Sequence, residues 1–371
     1  MINALVVGGG ISGLATALGL ARRGHPVTVV ERAPELKPLG SGITLVASAV
    51  RALDRLGLSQ ECMASGHGVD EFRVCDVAGN ELDVIPLPPP FEGAPGILGM
   101  LRPTLHKILL DAAHEAGVEL RLGLEPTRLD QRADGVGVEF SDGSTETFEL
   151  VVGADGLRSS VRGMLFGEIP PVFRNAGCFR ALLPRLPGVD AEHMFVGSRI
   201  GRPGFTLTGP DSMYMFCNVP AEDSSRPPEG ELASRMRTAL EPFGGLAGAA
   251  RHLIISDDQV NYSPFEVILV PAPWHRGRVV LVGDSAHATT PNLAAGGAMC
   301  LEDAVALAEE IERATGVPEA LEAYSTRRFD RCKFVVETSV LLAEWDLNPD
   351  TPGATPTETS AEAFQRLAEE F

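Results

Sequence analysis

Three short signatures, in fixed order along 371 residues, carry the residue types that could grip one long phosphate-bearing cofactor. The first is Gly8-Gly9-Gly10-Ile11-Ser12-Gly13, set directly behind the apolar run Leu5-Val6-Val7. A strand that enters a helix through Gly-x-Gly-x-x-Gly has a mechanical logic. Gly8 permits the tight turn, Gly10 lets a pyrophosphate approach the backbone, and Gly13 lets helix pack on strand. The helix then presents free N–H groups and its positive dipole end, with Ile11 and Ser12 in the first turn. Glu31 closes the next apolar run, with Arg32 beside it. A carboxylate there accepts ribose hydroxyls and repels a 2′-phosphate. The second signature is Gly153-Ala154-Asp155-Gly156, followed by Arg158 and Arg162. The third is Gly283-Asp284, followed by Pro291 and Gly296-Gly297-Ala298. Asp284 comes directly after an apolar strand, so its carboxylate emerges at a carboxyl end of the sheet, where ligands bind. The small residues 291–299, ahead of a helix, supply backbone N–H groups suited to negative charge.

The elements that must hold these signatures follow from periodicity. Residues 1–33 read as strand, glycine turn, helix from Ser12 to Arg23, and a second buried parallel strand. Helices are expected over residues 47–56, from Arg102 (with Pro103 in the first turn) and over 301–313. Residues 69–100 alternate and then break at the prolines 86–90, which suggests an antiparallel excursion. From about 170 to 275 short strand-like runs predominate, residues 213–219 being the clearest, as in a second, antiparallel domain. The resulting division is a discontinuous cofactor domain (1–68, 98–168 and 277–345), a second domain (69–97 and 169–276), and a linker with a terminal helix (346–371). Ala361, Phe364, Leu367, Ala368 and Phe371 fall on one face of that helix, for docking on its own domain or on another copy. The chain is read as monomer or homodimer.

Composition narrows the partners. A net charge of −19 disfavours nucleic acid and anionic membranes, although local arginines leave room for anionic ligands. No apolar stretch is long enough to span a bilayer and no leader is evident. Six scattered cysteines without a C-x-x-C pair argue against a zinc site or a disulfide framework and for reduced thiols in a cytoplasm. No metal is expected.

Gly-x-Gly-x-x-Gly alone does not separate FAD from NAD. The three signatures together resemble the FAD-dependent aromatic hydroxylases, the single-component flavoprotein monooxygenases related to para-hydroxybenzoate and salicylate hydroxylases. The resemblance covers residues 1–345. It implies an α/β fold: a Rossmann-like FAD-binding domain, discontinuous in sequence, with a mostly antiparallel β-sheet substrate domain. It implies non-covalent FAD held by Asp284 at the ribityl chain and by Arg102 on the phosphate or ribose side. Asp155 is associated with FAD and with NAD(P)H. The family stretch Pro-x-x-Gly-Gln-Gly is altered here, Ala294 and Ala295 replacing its first glycine and its glutamine. Glu302 and Asp303 resemble the family's Glu-Asp pair and are read as charge complementing a helix dipole, and His287 as a structural histidine.

The reaction implied by the resemblance uses NAD(P)H as a transient co-substrate and O₂. An electron-rich aromatic or heteroaromatic small molecule is hydroxylated through a flavin C4a-hydroperoxide. The alternatives are an FAD-dependent reductase or dehydrogenase of the same superfamily, and a non-catalytic flavin-binding protein. Halogenation is disfavoured, because Trp274 and Trp345 do not form a W-x-W-x-I-P element. For the substrate, Tyr214 and Arg202 resemble positions that contact heteroaromatic rings in this family. Tyrosine can hydrogen-bond a ring oxygen, and arginine can hold an anion or enolate.

Overall fold

In the computed structural model, which describes residues 1–36 and 42–371, two large sheets stand on either side of one cavity. The first is six-stranded, in the order His275–Arg276, Val279–Leu281, Leu150–Gly153, Ala4–Val7, Val27–Glu31, Glu119–Leu122. All its pairings are parallel except that of His275–Arg276 with Val279–Leu281. Ala4–Val7, Leu150–Gly153 and Val279–Leu281 are buried at every position, which is why they read as unbroken apolar runs. The hairpin straddles the expected domain boundary after residue 276, because His275–Arg276 pairs with the parallel sheet rather than the second one.

The second sheet has seven strands, ordered Val260–Val267, Val172–Pro184, Ser212–Pro220, Arg202–Leu207, Glu192–Phe195, Glu71–Cys75, Glu81–Pro86. It is antiparallel except where Glu192–Phe195 runs parallel to Glu71–Cys75. A small sheet, Gly42–Val46, Ile97–Leu101 and His67–Val69, lies between these layers in sequence and lends Gly42, Thr44 and Ile97 to the cavity.

Helix Ile11–Ala21 packs against helix Gly296–Arg313, which starts five residues before the expected helical run. The 31-residue helix Val317–Leu347 carries no regular apolar stripe, since buried Ser325, Arg328 and Ser339 interrupt its inner face. Helix Pro356–Ala368 docks on its own chain, burying Ser360, Ala363, Phe364 and Leu367. The expected face is thus displaced: Ala363 replaces Ala361, and Ala368 and Phe371 stay half-buried. Arg51, Arg327 and Arg331 tie the helix down by donating to the carbonyls of Ala368, Phe371 and Leu367 at 2.6, 2.8 and 2.9 Å. All six cysteines are free and buried. Among the described residues no helix is long and apolar enough to cross a membrane.

Candidate active site

Gly10 ends the first loop as the N-cap of helix Ile11–Ala21, and no side chain caps that helix. A Cβ on Gly13 would lie 1.8 Å from the Gly8 carbonyl oxygen, and one on Gly8 would lie 2.4 Å from that of Ala154. At Gly10, by contrast, nothing stands within 4 Å of a built Cβ. The loop is therefore closed on its inner side and open on the side where a ligand would approach. His106 supports it from below, its Nε2 lying 2.8 Å from the Gly9 carbonyl oxygen. Glu31 accepts from the N–H groups of Gly9 and Ala33, both at 2.9 Å, and so fixes the loop as well as the strand end. Arg32 is exposed.

A second uncapped helix, Gly296–Arg313, begins on the same cavity through Gly296 and Gly297. Two open helix N-termini add a positive bias from the backbone to this space. Ala298 is buried in the first turn behind them. Ala294, in place of the expected glycine, adopts the left-handed conformation that glycine takes freely (φ 51°, ψ 20°). The sequence departure has therefore kept the turn.

The cavity encloses about 420 Å³. Gly10, Ile11, Ser12, Arg102, Asp284 and Pro291, read from the sequence as cofactor contacts, line it. Its walls carry buried polar atoms with no partner: Ser12 Oγ, Thr289 Oγ1, Thr290 Oγ1 and Asn292 Oδ1. Unpaired buried hydroxyls are costly unless something fills the space beside them. Open backbone at Gly10, two uncapped helices and these orphaned groups together fit a long ligand with phosphate and polyol parts, as FAD has.

Asp155 departs from expectation. Its carboxylate accepts from Ser159 Oγ at 2.5 Å, from the N–H groups of Ser160 and Val161 at 2.7 and 3.1 Å, and from Ser285 Oγ at 3.2 Å. It thus caps helix Ser160–Phe166 and does not line the cavity, whereas Ala154 and Gly156 do. Arg162 donates to the Ser285 carbonyl at 3.0 Å, so the second signature anchors the third.

Glu302 and Asp303 are also corrected. Both are fully buried in the second turn of their helix rather than complementing its start. Arg328 bridges them, Nε to Asp303 Oδ1 at 2.8 Å and Nη1 to Glu302 Oε2 at 2.5 Å. Asp303 Oδ2 accepts from Gly283 N–H at 2.8 Å and lies 2.6 Å from His287 Nε2, so this carboxylate holds the turn that presents Asp284. Burial opposes charge on Asp303, yet His287 and Arg328 outweigh it and hold its pKa at about 2. His287, Asp303 and Cys332 gather within 4.8 Å, and Arg328 belongs to the same buried cluster, its Nη2 standing 3.5 Å from Cys332 Sγ.

The opposite wall is one face of the seven-stranded sheet. Register aligns Phe72, Glu192, Thr206 and Tyr214 in one row, and Met194, Gly204, Phe216 and Arg180 in the next. Strand alternation turns these rows inward together. A Cβ at Gly204 would meet Phe216 Cζ at 2.3 Å, so the missing side chain makes room for that ring. Tyr214 lines the cavity as expected, and burial pushes its phenol up to about 12 despite a hydrogen bond from Arg180. Arg202 does not line it. That guanidinium lies on the same sheet face but is bound to Asp346, whose other oxygen accepts from Asn292 Nδ2 at 2.7 Å. Arg180, Glu192, Asn218 and Phe364 are cavity residues that sequence reading missed. The alternation of strand 172–184 carried the only signal for Arg180.

Residues 1–339 match the FAD binding domain family. The chain belongs to that family. Relatives include a 2-heptyl-3-hydroxy-4(1H)-quinolone synthase of Pseudomonas aeruginosa (strain UCBPP-PA14), 33% identical over 93% of this chain and 90% of the relative. A 3-hydroxybenzoate 6-hydroxylase of Aquipseudomonas alcaligenes is 32% identical over 89% and 85%. Among solved structures, Klebsiella pneumoniae HpxO complexed with FAD and uric acid superposes with a TM-score of 0.85, at 25% identity over 100% of this chain and 93% of that one. This member of the FAD binding domain family is an FAD-dependent monooxygenase with the fold of flavoprotein hydroxylases. The reductase and non-catalytic alternatives give way to it.

Proposed function

We propose that this monooxygenase hydroxylates an electron-rich aromatic or heteroaromatic ring seated in the 420 Å³ cavity, with NAD(P)H as transient co-substrate. The observation that carries the reading is the pairing of two unlike walls: an open phosphate-binding loop with orphaned hydroxyls on one side, and a sheet face of rings with a few polar groups on the other. The division into a discontinuous cofactor domain and an antiparallel substrate domain is part of the same proposal. When bound, FAD supplies electron transfer and oxygen activation; the chain supplies position, electrostatics and exclusion of water.

On the cofactor side, the N–H groups at Ile11, Ser12 and Gly13 take the pyrophosphate, and Glu31 the ribose. Asp284 takes the ribityl hydroxyls, Arg102 a phosphate or ribose oxygen, and the backbone at Gly296 and Gly297 the negative edge of the reduced ring. Asp284→Ala is expected to weaken FAD retention by about 10- to 100-fold, the value of one hydrogen bond to a charged group. Asp155→Ala should instead lower the melting temperature while retaining FAD. Equilibrium dialysis and thermal melts on the same two variants separate these roles.

On the substrate side, Phe72, Met194, Phe216 and Phe364 keep the space dry, and the Phe72–Phe364 contact (centroids 5.9 Å apart) brings the terminal helix into the wall. Arg180 takes the anion-holding role expected of Arg202. Tyr214→Phe is expected to slow hydroxylation and release more hydrogen peroxide per NAD(P)H oxidised, with FAD content unchanged. Unchanged coupling would remove Tyr214 from the site. The reading as a whole is tested by aromatic-stimulated NAD(P)H oxidation measured with and without O₂: a hydroxylase requires oxygen, and equal turnover under anaerobic conditions refutes it.

A further inference from the structure

Among the described residues Glu192 is the one carboxyl group on the sheet wall of the cavity. Its side chain is 97% buried, from a relative exposure of 3%. Oε1 accepts from Thr206 Oγ1 at 2.6 Å, and Thr206 Oγ1 lies 2.8 Å from Thr44 Oγ1. Because the Thr206 proton is committed to Glu192, Thr44 must donate to Thr206, and the chain of hydroxyls points toward the carboxyl group. Among the described residues Oε2 has no partner. Among the described residues no arginine, lysine or histidine is ion-paired with it. A buried carboxyl with one satisfied oxygen and one bare one, lining a ligand cavity, is a half-finished hydrogen-bond site.

We propose that Glu192 selects the substrate by donating a hydrogen bond from Oε2 to a ring carbonyl oxygen, so that the ring taken is a heteroaromatic lactam of the pyridone or quinolone kind. This deepens the monooxygenase reading, on which it rests for calling the ligand a substrate. The hydroxyl of Thr206 fixes which oxygen donates: Oε1 is held as the acceptor, leaving the proton on Oε2. A ring hydroxyl or a carboxylate would face this group less well, the first competing as a donor and the second repelling it once ionised. Burial pushes the carboxyl up to about 8, with the Thr206 hydrogen bond opposing, so it is protonated at neutral pH.

The other groups on the cavity leave that window clear. Tyr214, pushed up to about 12, and Cys178 and Cys300, both raised by burial, stay neutral, and the Arg180 guanidinium beside Tyr214, raised in turn, stays charged. Asp284 stands on the opposite wall.

The test titrates FAD-loaded protein with 4(1H)-quinolone and with 2-pyridone, neutral lactams, following the flavin absorbance from pH 6 to 9.5. In the wild type, affinity for at least one should fall about tenfold between pH 7 and pH 9 as the donor proton is lost. Glu192→Gln keeps a donor, because Thr206 still requires an acceptor at Oε1 and turns the amide nitrogen to the cavity. It should bind as tightly as wild type at pH 7 and lose the pH dependence. Glu192→Leu should bind weakly at every pH, and Thr206→Val should move the break upward. A residue with a merely structural role would leave the profile's shape unchanged. The proposal is overturned if the break persists in Glu192→Gln, if affinity rises instead of falling above pH 8, or if neither lactam binds. Lactam binding with the expected profile but no oxygen-dependent NAD(P)H oxidation would fault the monooxygenase reading and leave the Glu192 assignment intact.

Discussion

Gly13→Ala is expected to abolish flavin retention and to destabilise the apoprotein as well. The new Cβ would sit 1.8 Å from the Gly8 carbonyl oxygen, a backbone atom that cannot swing aside. Strand end and helix start must separate, and the N–H groups at the head of helix Ile11–Ala21 lose their aim. Losing two charge-assisted hydrogen bonds to phosphate costs roughly 3–6 kcal/mol, or about 10² to 10⁴ in FAD affinity. Gly10→Ala provides the contrast. Its Cβ meets nothing within 4 Å among the described residues, so the apoprotein should melt at the wild-type temperature. Only bound cofactor would clash with it. Flavin content after desalting, read beside apoprotein melts, checks both variants. If Gly10→Ala retained FAD fully, the loop would not carry the pyrophosphate.

Arg328→Ala should be the most destabilising exchange away from the cavity. Arg328 is 0% exposed and bridges Glu302 and Asp303, themselves 0% exposed. Removing it leaves two buried carboxylates sharing only His287 and Arg331 as counter-charges. Breaking a buried ion pair by deleting one partner costs about 3–5 kcal/mol, because the remaining charge is stranded. Arg331→Ala, at the half-exposed edge of the network, should cost less. The acid limb follows from Asp303. Its pKa is depressed from 3.8 to about 2, so the stability it contributes is present above pH 4 and is lost as pH falls from about 4 toward 2. In Arg328→Ala that limb should shift to higher pH. Since Asp303 also holds Gly283, FAD affinity should fall together with the melting temperature. Urea unfolding of the apoprotein and flavin titration measure the two effects separately.

The cofactor wall was legible in the chain because close backbone approach leaves only glycine as an option, and glycine spacing survives as a one-dimensional pattern. The cofactor-side strands were legible for a similar reason: a strand buried on both faces must be apolar throughout, as Ala4–Val7 and residues 279–282 are. What the tertiary structure decided was the destination of each charge. Asp155, Glu302 and Arg202 carry the residue types of a binding site, and sequence could not say that a helix start, Arg328 and Asp346 would claim them. Those partners lie between 5 and 144 residues away, and an ion pair leaves no periodic trace. The same holds for the substrate wall. Arg180, Glu192 and Tyr214 come from three strands whose alignment is set by register alone, and a shift of one residue would have turned each of them to the other face. The glycine loop behind Ala4–Val7 could be read from the chain, since it is a property of local backbone. Which side chains face the cavity is settled by folding, since that is a property of strands meeting across the sheet.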